Sequence, residues 1–215
     1  MGQYYKPIIL NEKNKPVTYA SCYDFGSGAK LMEHSWMKND FVGFIERQLA
    51  IQPSKLVWAG DYADAENPKT LTKAEIKALA DEKSEYWNSA KIKEEGLTLY
   101  SLCETVGQLS HGQDVKNKYD HDFGYGKGST TERKFLINFD KKEFVDKSKV
   151  PSSDDGWRIH PLPLLTCEGN NRGGGDFRGE ERDLVGRWSR DKIGVASKKS
   201  DIPKDFKEVI FNLTE

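Results

Sequence analysis

The sequence predicts an α+β fold: a mainly antiparallel sheet from two β-rich halves, residues 1–66 and 133–211, with a helical insertion and flexible loop at 68–131. Three observations carry this expectation. Each end holds two short runs of β-branched and aromatic residues separated by a polar, lysine-bearing turn, the pattern of a β-hairpin. The middle places apolar residues at three- and four-residue spacing behind a capping signal, the pattern of a surface helix. The length, 215 residues, suits a single domain or two intimate halves. Only 36% of residues are apolar, which predicts a thin core, yet five Trp, nine Tyr and ten Phe argue against disorder.

From the N-terminus, residues 4–10 read as a strand, with Pro7 marking an edge strand or a strand start because proline cannot donate to a ladder. Asn11–Lys15 turns the chain, and Pro16–Ala20 returns antiparallel. After a loop with Gly26 and Gly28, Asn39 or Asp40 caps a helix whose apolar face holds Phe41, Phe44, Ile45 and Leu49; Pro53 stops it. Lys55–Trp58 is a short strand running into Gly60 and Asp61. Thr72 and Glu75 form a capping box, and Ile76, Leu79, Ala80, Lys83 and Trp87 continue one face of a long helix ending before Gly96. Leu97–Val106 is a second helix, and residues 107–131, rich in Gly, Asp, Lys and His, are a long flexible loop. Order returns with a strand at Lys134–Phe139, a turn at Asp140–Lys142 and a partner strand at Glu143–Val145. Pro161 and Pro163 deny the apolar run Ile159–Thr166 an interior helix. Arg172–Asp176 is a tight turn, and Leu184–Ala196 is a strand or bent hairpin through Trp188 and Ile193.

The two ends share an order of parts: a hairpin, a glycine-bearing loop, then a strand carrying Trp-x-x-Asp. The copies are Trp58-Ala59-Gly60-Asp61 and Trp188-Ser189-Arg190-Asp191. Related halves would make a pseudo-symmetric domain, since the period is far longer than that of a solenoid. Coincidence is the preferred explanation, because two fixed positions in four are easily met.

Charge and cysteine content remove several classes. Lys and Arg total 33 and Asp and Glu 34, a net charge of -1, so no global electrostatic case for nucleic acid exists. Cys22, Cys103 and Cys167 are odd in number, far apart and in no C-x-x-C pair, so buried reduced thiols are expected. The opening residues lack an apolar signal core and no run approaches ~18 apolar residues, so a cytoplasmic protein without a membrane partner is expected.

Four clusters could hold chemistry. Gly60-Asp61-Tyr62-Ala63-Asp64 ends a strand, where carboxylates projecting into a crevice could hold a divalent cation or act as acid and base. The ordinary explanation, a turn in which Asp bonds its own backbone, is preferred. Arg172-Gly173-Gly174-Gly175-Asp176, with Arg178 beside it, offers a backbone nest and two guanidiniums for phosphate or carboxylate, or simply a turn needing positive φ. Gly124–Thr130 has the glycines of a phosphate-binding loop, but Gly128 separates Lys127 from Ser129 and no helix start follows, so that reading fails. His111, Asp114, Asp120, His121 and Asp122 could ligate a metal, but with no helical His pair or nearby Cys a solvated loop is preferred and no metal is assigned. His34 and His160 are lone histidines of the structural kind. Trp188 and Asp191 complete the ligand-binding candidates. No G-x-S-x-G, H-E-x-x-H or strand-to-helix G-x-G-x-x-G is present, which disfavours enzymes with strong local signatures.

Met1-Gly2-Gln3-Tyr4-Tyr5-Lys6, Lys30-Leu31-Met32-Glu33-His34-Ser35, Trp58 to Asp64, and Arg172 to Asp176 followed by Val185-Gly186-Arg187-Trp188 together resemble a family of hypothetical proteins. That family occurs in gut bacteria, actinobacteria and their phages. The likeness covers the two ends of the chain rather than the middle and brings no ligand, cofactor or catalytic residue with it. It implies a phage or mobile-element setting, in which accessory proteins act on host machinery such as a defence system. The expected function is that of a non-enzymatic accessory protein binding a host protein or a small anionic ligand through glycine-rich loops and aromatic edges. One alternative is a metal-dependent phosphoester or nucleotide hydrolase, with Asp61, Asp64 and Asp176 on metal or as acid and base, and Arg172 and Arg178 on phosphate. It needs the carboxylates within about 4–9 Å of one another. The other alternative is a structural or assembly protein.

Overall fold

The computed structural model describes residues 3–110, 133–169, 175–179 and 182–214. β1 (Tyr5–Leu10) and β2 (Pro16–Ala20) form the first hairpin, Ile8 opposite Tyr19. Asn11 holds its turn by accepting the N–H groups of Lys13 and Lys15. β3 (Ser54–Gly60) pairs antiparallel with the other side of β1, placing Pro7 opposite Trp58. β1 is therefore an interior strand, which corrects the edge reading of Pro7. The proline is tolerated because alternate N–H groups point away from β3: Tyr5 donates to Ala29 O at 2.9 Å, and Pro7 faces the same side, where the β2 ladder stops at Ile8.

β5 (Phe135–Asn138) and β6 (Glu143–Asp146) form the second hairpin, and β8 (Lys192–Ala196) pairs antiparallel with β5. β3 and β8 meet antiparallel at Ser54–Ile193 and Lys55–Lys192, joining both halves in one mixed sheet. Short edge strands run parallel to their neighbours, β4 (Gly107–Leu109) on β2 and β9 (Lys207–Glu208) on β6. The order β4-β2-β1-β3-β8-β5-β6-β9 reads alike from either end, with β7 (Cys167–Glu168) a side branch parallel to β3. Trp-x-x-Asp does not follow this symmetry. Trp58 lies inside β3, whereas Trp188 lies in the turns that precede β8, so only Lys192–Ala196 of the predicted strand at 184–196 is extended.

α1 (Leu31–His34) and α2 (Asp40–Ile51) follow β2; Asn39 caps α2 by accepting the Val42 N–H at 3.2 Å. Phe41, Phe44, Ile45 and Leu49 pack with Leu56, Trp58 and Ile193 on one face of the sheet. α6 (Pro161–Thr166) shares that face and corrects the reading that its prolines forbid a helix. Both prolines sit in the first turn, where no N–H has an intrahelical partner to lose. The other face, with Ile8, Leu10 and Val57, is covered by α3 (Lys73–Leu79), α4 (Ser89–Glu95) and α5 (Leu99–Leu102). The Thr72–Glu75 capping box is present, but the single long helix is not. Asp81 accepts the Lys83 N–H, Ser84 accepts those of Tyr86 and Trp87, and Asn88 restarts the helix as the cap of α4. These short polar side chains offer the backbone local partners that outcompete helix continuation. The loop expected from 107 begins instead with a strand, and 111–131 lies outside the described residues. No helix among the described residues is long and apolar enough to cross a membrane. All three cysteines are buried and none is in a disulfide.

Candidate functional site

β3 and β7 run parallel, Trp58 beside Cys167 and Ala59 beside Glu168, so both segments leave the sheet at the same end. There they open a cleft of about 740 Å³ walled by Ala63 and Asp64 beyond β3, Glu168 and Gly169 at β7, and Arg182 and Arg190. Arg190 adopts a left-handed backbone, φ 63°, which costs a non-glycine residue of order 1–3 kcal/mol. Its partners hold it there. The N–H donates to Leu56 O at 2.9 Å. The guanidinium donates to both carboxylate oxygens of Glu168, at 2.6 and 2.8 Å, and to Glu66 at 2.6 Å. Ser189 Oγ donates to Glu168 as well, at 2.7 Å. Burial opposes the Arg190 charge, but its bonds to Glu168 and Glu66 outweigh that and raise its pKa above the ordinary guanidinium value.

Beside the cleft, bends from both ends of the chain close over the first strand. The Tyr5 hydroxyl donates to Gln3 Oε1 at 2.9 Å. A Cβ at Gly60 would lie 2.4 Å from Gln3 Nε2, one at Gly169 2.7 Å from Gln3 Oε1, and one at Gly175 2.8 Å from the Tyr5 hydroxyl. No side chain larger than hydrogen fits these approaches without displacement. Gln3 Nε2 is buried and has no hydrogen-bond partner among the described residues. Burial raises the Tyr5 hydroxyl pKa, and the neighbouring Cys167, Asp176 and Asp61 add to the rise.

The predicted site residues divide among three places. Asp64 lines the cleft. Asp61 and Asp176 flank Tyr5, but each carboxylate is engaged by backbone: Asp61 accepts the Tyr4 N–H and Asp176 the Met32 N–H, both at 3.0 Å. Burial raises both carboxyls. Tyr62 and Arg178 are exposed, and Gly175 takes the positive φ, 37°, that a turn there requires. Trp188 and Asp191 brace the second hairpin instead of lining the cleft. The buried Trp188 indole donates to Glu143 at 2.7 Å, and Asp191 accepts from Asn138 at 2.8 Å and from Lys141. Arg172, Gly173 and Gly174 lie outside the described residues, as do His111, Asp114, Asp120, His121, Asp122 and Gly124–Thr130. Among the described residues, no group of three or more His, Cys, Asp or Glu side chains is placed to hold a metal ion, so Asp61, Asp64 and Asp176 do not form one.

Sequence reasoning missed Glu66, Glu168 and Arg190. The available signal was a lone Glu directly before Gly169 and an Arg inside the second Trp-x-x-Asp. It also missed a fully buried ionic cluster. Glu46 on α2 accepts from Lys147 Nζ, and His160 Nε2 stands 3.2 Å from the same oxygen. His160 Nδ1 accepts the Leu162 N–H at 3.1 Å, which assigns the ring proton to Nε2, facing Glu46. Burial pushes the Glu46 carboxyl up, but Lys147 and His160 outweigh it and hold the group below its ordinary value.

Compared with known proteins, the chain matches no family model, no curated protein and no solved structure.

Proposed function

We propose that this is a non-enzymatic accessory protein of a phage or mobile element, working in the cytoplasm, that binds a host protein at the end of the sheet where β3 and β7 leave it. The observation that carries the reading is the closure of Gly60, Gly169 and Gly175 over Gln3 and Tyr5 beside an open, preformed cleft. Such a concavity, locked by Arg190 between two carboxylates, suits recognition. The phage setting rests on the sequence motifs alone. Cleft charge favours a protein over a small anion: Asp64, Glu168 and Asp183 stand against Arg182 and Arg190, and Arg190 is already engaged by Glu168 and Glu66. Where the host protein belongs to a defence system, binding of this kind acts as counter-defence inhibition.

The test is affinity capture from host lysate followed by native mass spectrometry, using the wild-type chain and Asp64→Arg. The expected result is one stoichiometric host-protein complex that Asp64→Arg abolishes. Absence of a complex, or a complex indifferent to Asp64, would refute the reading. So would phosphoester turnover by the purified chain.

A further inference from the structure

Strand direction gathers tyrosines at one end of the sheet. β1 starts where the antiparallel β2 and β3 finish, so Tyr4, the segment Tyr19–Tyr23 and the pair Asp61–Tyr62 converge there. Tyr4 and Asp61 are tied directly, the Tyr4 N–H to Asp61 Oδ1 and the Asp61 N–H to Tyr4 O, each at 3.0 Å. α5 adds Tyr100, whose ring lies 4.0 Å from Lys6 Nζ, with the Tyr19 ring 5.5 Å away on the same ammonium. Burial raises the Tyr100 hydroxyl pKa, and Asp61, Tyr23 and Glu104 stand close enough to add to it. Tyr4, Tyr23 and Tyr62 are 44%, 72% and 50% exposed, far more than a fold needs for packing.

Among the described residues the charges of this face are one-sided. The carboxylates there are Asp24, Asp61 and Glu104. Its nearest ammonium, Lys6, is bound to Glu104 at 2.7 Å, and Lys30, bridged to Tyr4, pairs with Glu33. Among the described residues Asp24 accepts only a neutral amide, from Gln108 at 2.7 Å. Exposed tyrosines offer large contact area with few rotors, the composition found in protein-recognition surfaces. A guanidinium stacks on such rings and pairs with carboxylates in a way a lysine ammonium cannot match. Lys6 already occupies one such cation position from within the chain.

We infer that this tyrosine face is the docking surface for an arginine-bearing, basic face of a partner protein. The inference rests on the host-protein reading and deepens it: Tyr62 is followed directly by Ala63 and Asp64 of the cleft, so one partner covers both.

The probes are nona-arginine, nona-lysine and nona-glutamate peptides, titrated calorimetrically into the full chain at about 0.15 M salt, where long-range attraction is screened. Amide hydrogen exchange maps the contact. Nona-arginine is expected to bind about tenfold more tightly than nona-lysine and to protect residues 19–24, 61–62 and 100–104. Tyr23→Ala combined with Tyr62→Ala should weaken it at least about tenfold without moving the melting temperature. Ile210→Ala, exposed beyond β9 at the opposite sheet edge, should change nothing. Equal affinity for the two basic peptides, indifference to the tyrosine variants, or preference for nona-glutamate overturns the assignment. Protection confined to 183–190 overturns it while leaving the host-protein reading intact. Arginine-selective binding at the tyrosines, in a chain that captures no host protein, upholds the surface and defeats the broader reading.

Discussion

Removing the Glu46 carboxylate is the sharpest perturbation of this fold. Glu46 and His160 are 0% and Lys147 1% exposed. Glu46→Ala strands the Lys147 ammonium in a dry interior, where breaking a buried pair costs about 3–5 kcal/mol. In a chain of this size each kcal/mol moves the melting temperature by about 2–4 °C, so the expected drop is about 6–20 °C. Thermal unfolding followed by far-ultraviolet circular dichroism at pH 7 measures it. Replacing both partners, Glu46→Leu with Lys147→Met, should recover most of the loss, because apolar residues of similar volume fill such sites well. The carboxyl is held below its ordinary value, so its contribution is present above the unfolded pKa and disappears as pH falls through the folded one. A Glu46→Ala protein melting within about 2 °C of wild type, or a double variant less stable than the single, would refute the reasoning.

His34 donates from Nδ1 to Gly28 O and accepts the Trp58 indole N–H, each at 2.9 Å, and burial lowers its pKa from 6.5 to about 4. Its folded pKa lies below the unfolded one, so stability is full above about 6.5 and falls by roughly 3 kcal/mol by pH 4; urea midpoints across that range should show the slope, and His34→Gln should flatten it. Gly169→Ala drives a Cβ to 2.7 Å from Gln3 Oε1 and should cost about 1–3 kcal/mol by calorimetry, whereas Gly107→Ala, with nothing within 4 Å, should stay within about 0.5 kcal/mol of wild type. A fragment of residues 1–66 should remain unfolded by circular dichroism, because α2 packs on β8 from the other half.

What the sequence disclosed was whatever local chemistry decides. The two hairpins, the Asn39 cap and the Thr72–Glu75 box are written in adjacent residues, and each stands as read. Failures came where local signals compete or where the deciding partner is remote. Pro161 and Pro163 read as helix breakers because nothing local reveals that the helix starts at Pro161 itself. The face through Ile76, Lys83 and Trp87 has helical spacing, but Asp81, Ser84 and Asn88 turn the backbone before that spacing can act. Glu168 and Arg190 carry only a weak local signal because their importance lies in each other, 22 residues apart in the chain. Glu46 reads as a solvated helix residue until Lys147, 101 residues away, is brought to it.

The sheet also explains why the site lies where it does. Its strand order is a palindrome about the β3–β8 pair, and the helices cross that axis: α2 packs on β8, and α6 packs on β3. The Glu46–Lys147–His160 cluster sits at this crossing, one residue from the first half and two from the second, so the buried charges tie each half to the other's helix. β7 is where the palindrome fails. It pairs parallel with the far end of β3, and among the described residues β8 has no counterpart to it. That extra strand forces two chain segments out of the sheet side by side, with Gly60 and Gly169 packed on Gln3 and Glu168 turned to Arg190. A symmetric sheet would have ended flat there. The cleft opens where β7 breaks the symmetry, at the sheet end where the two halves differ.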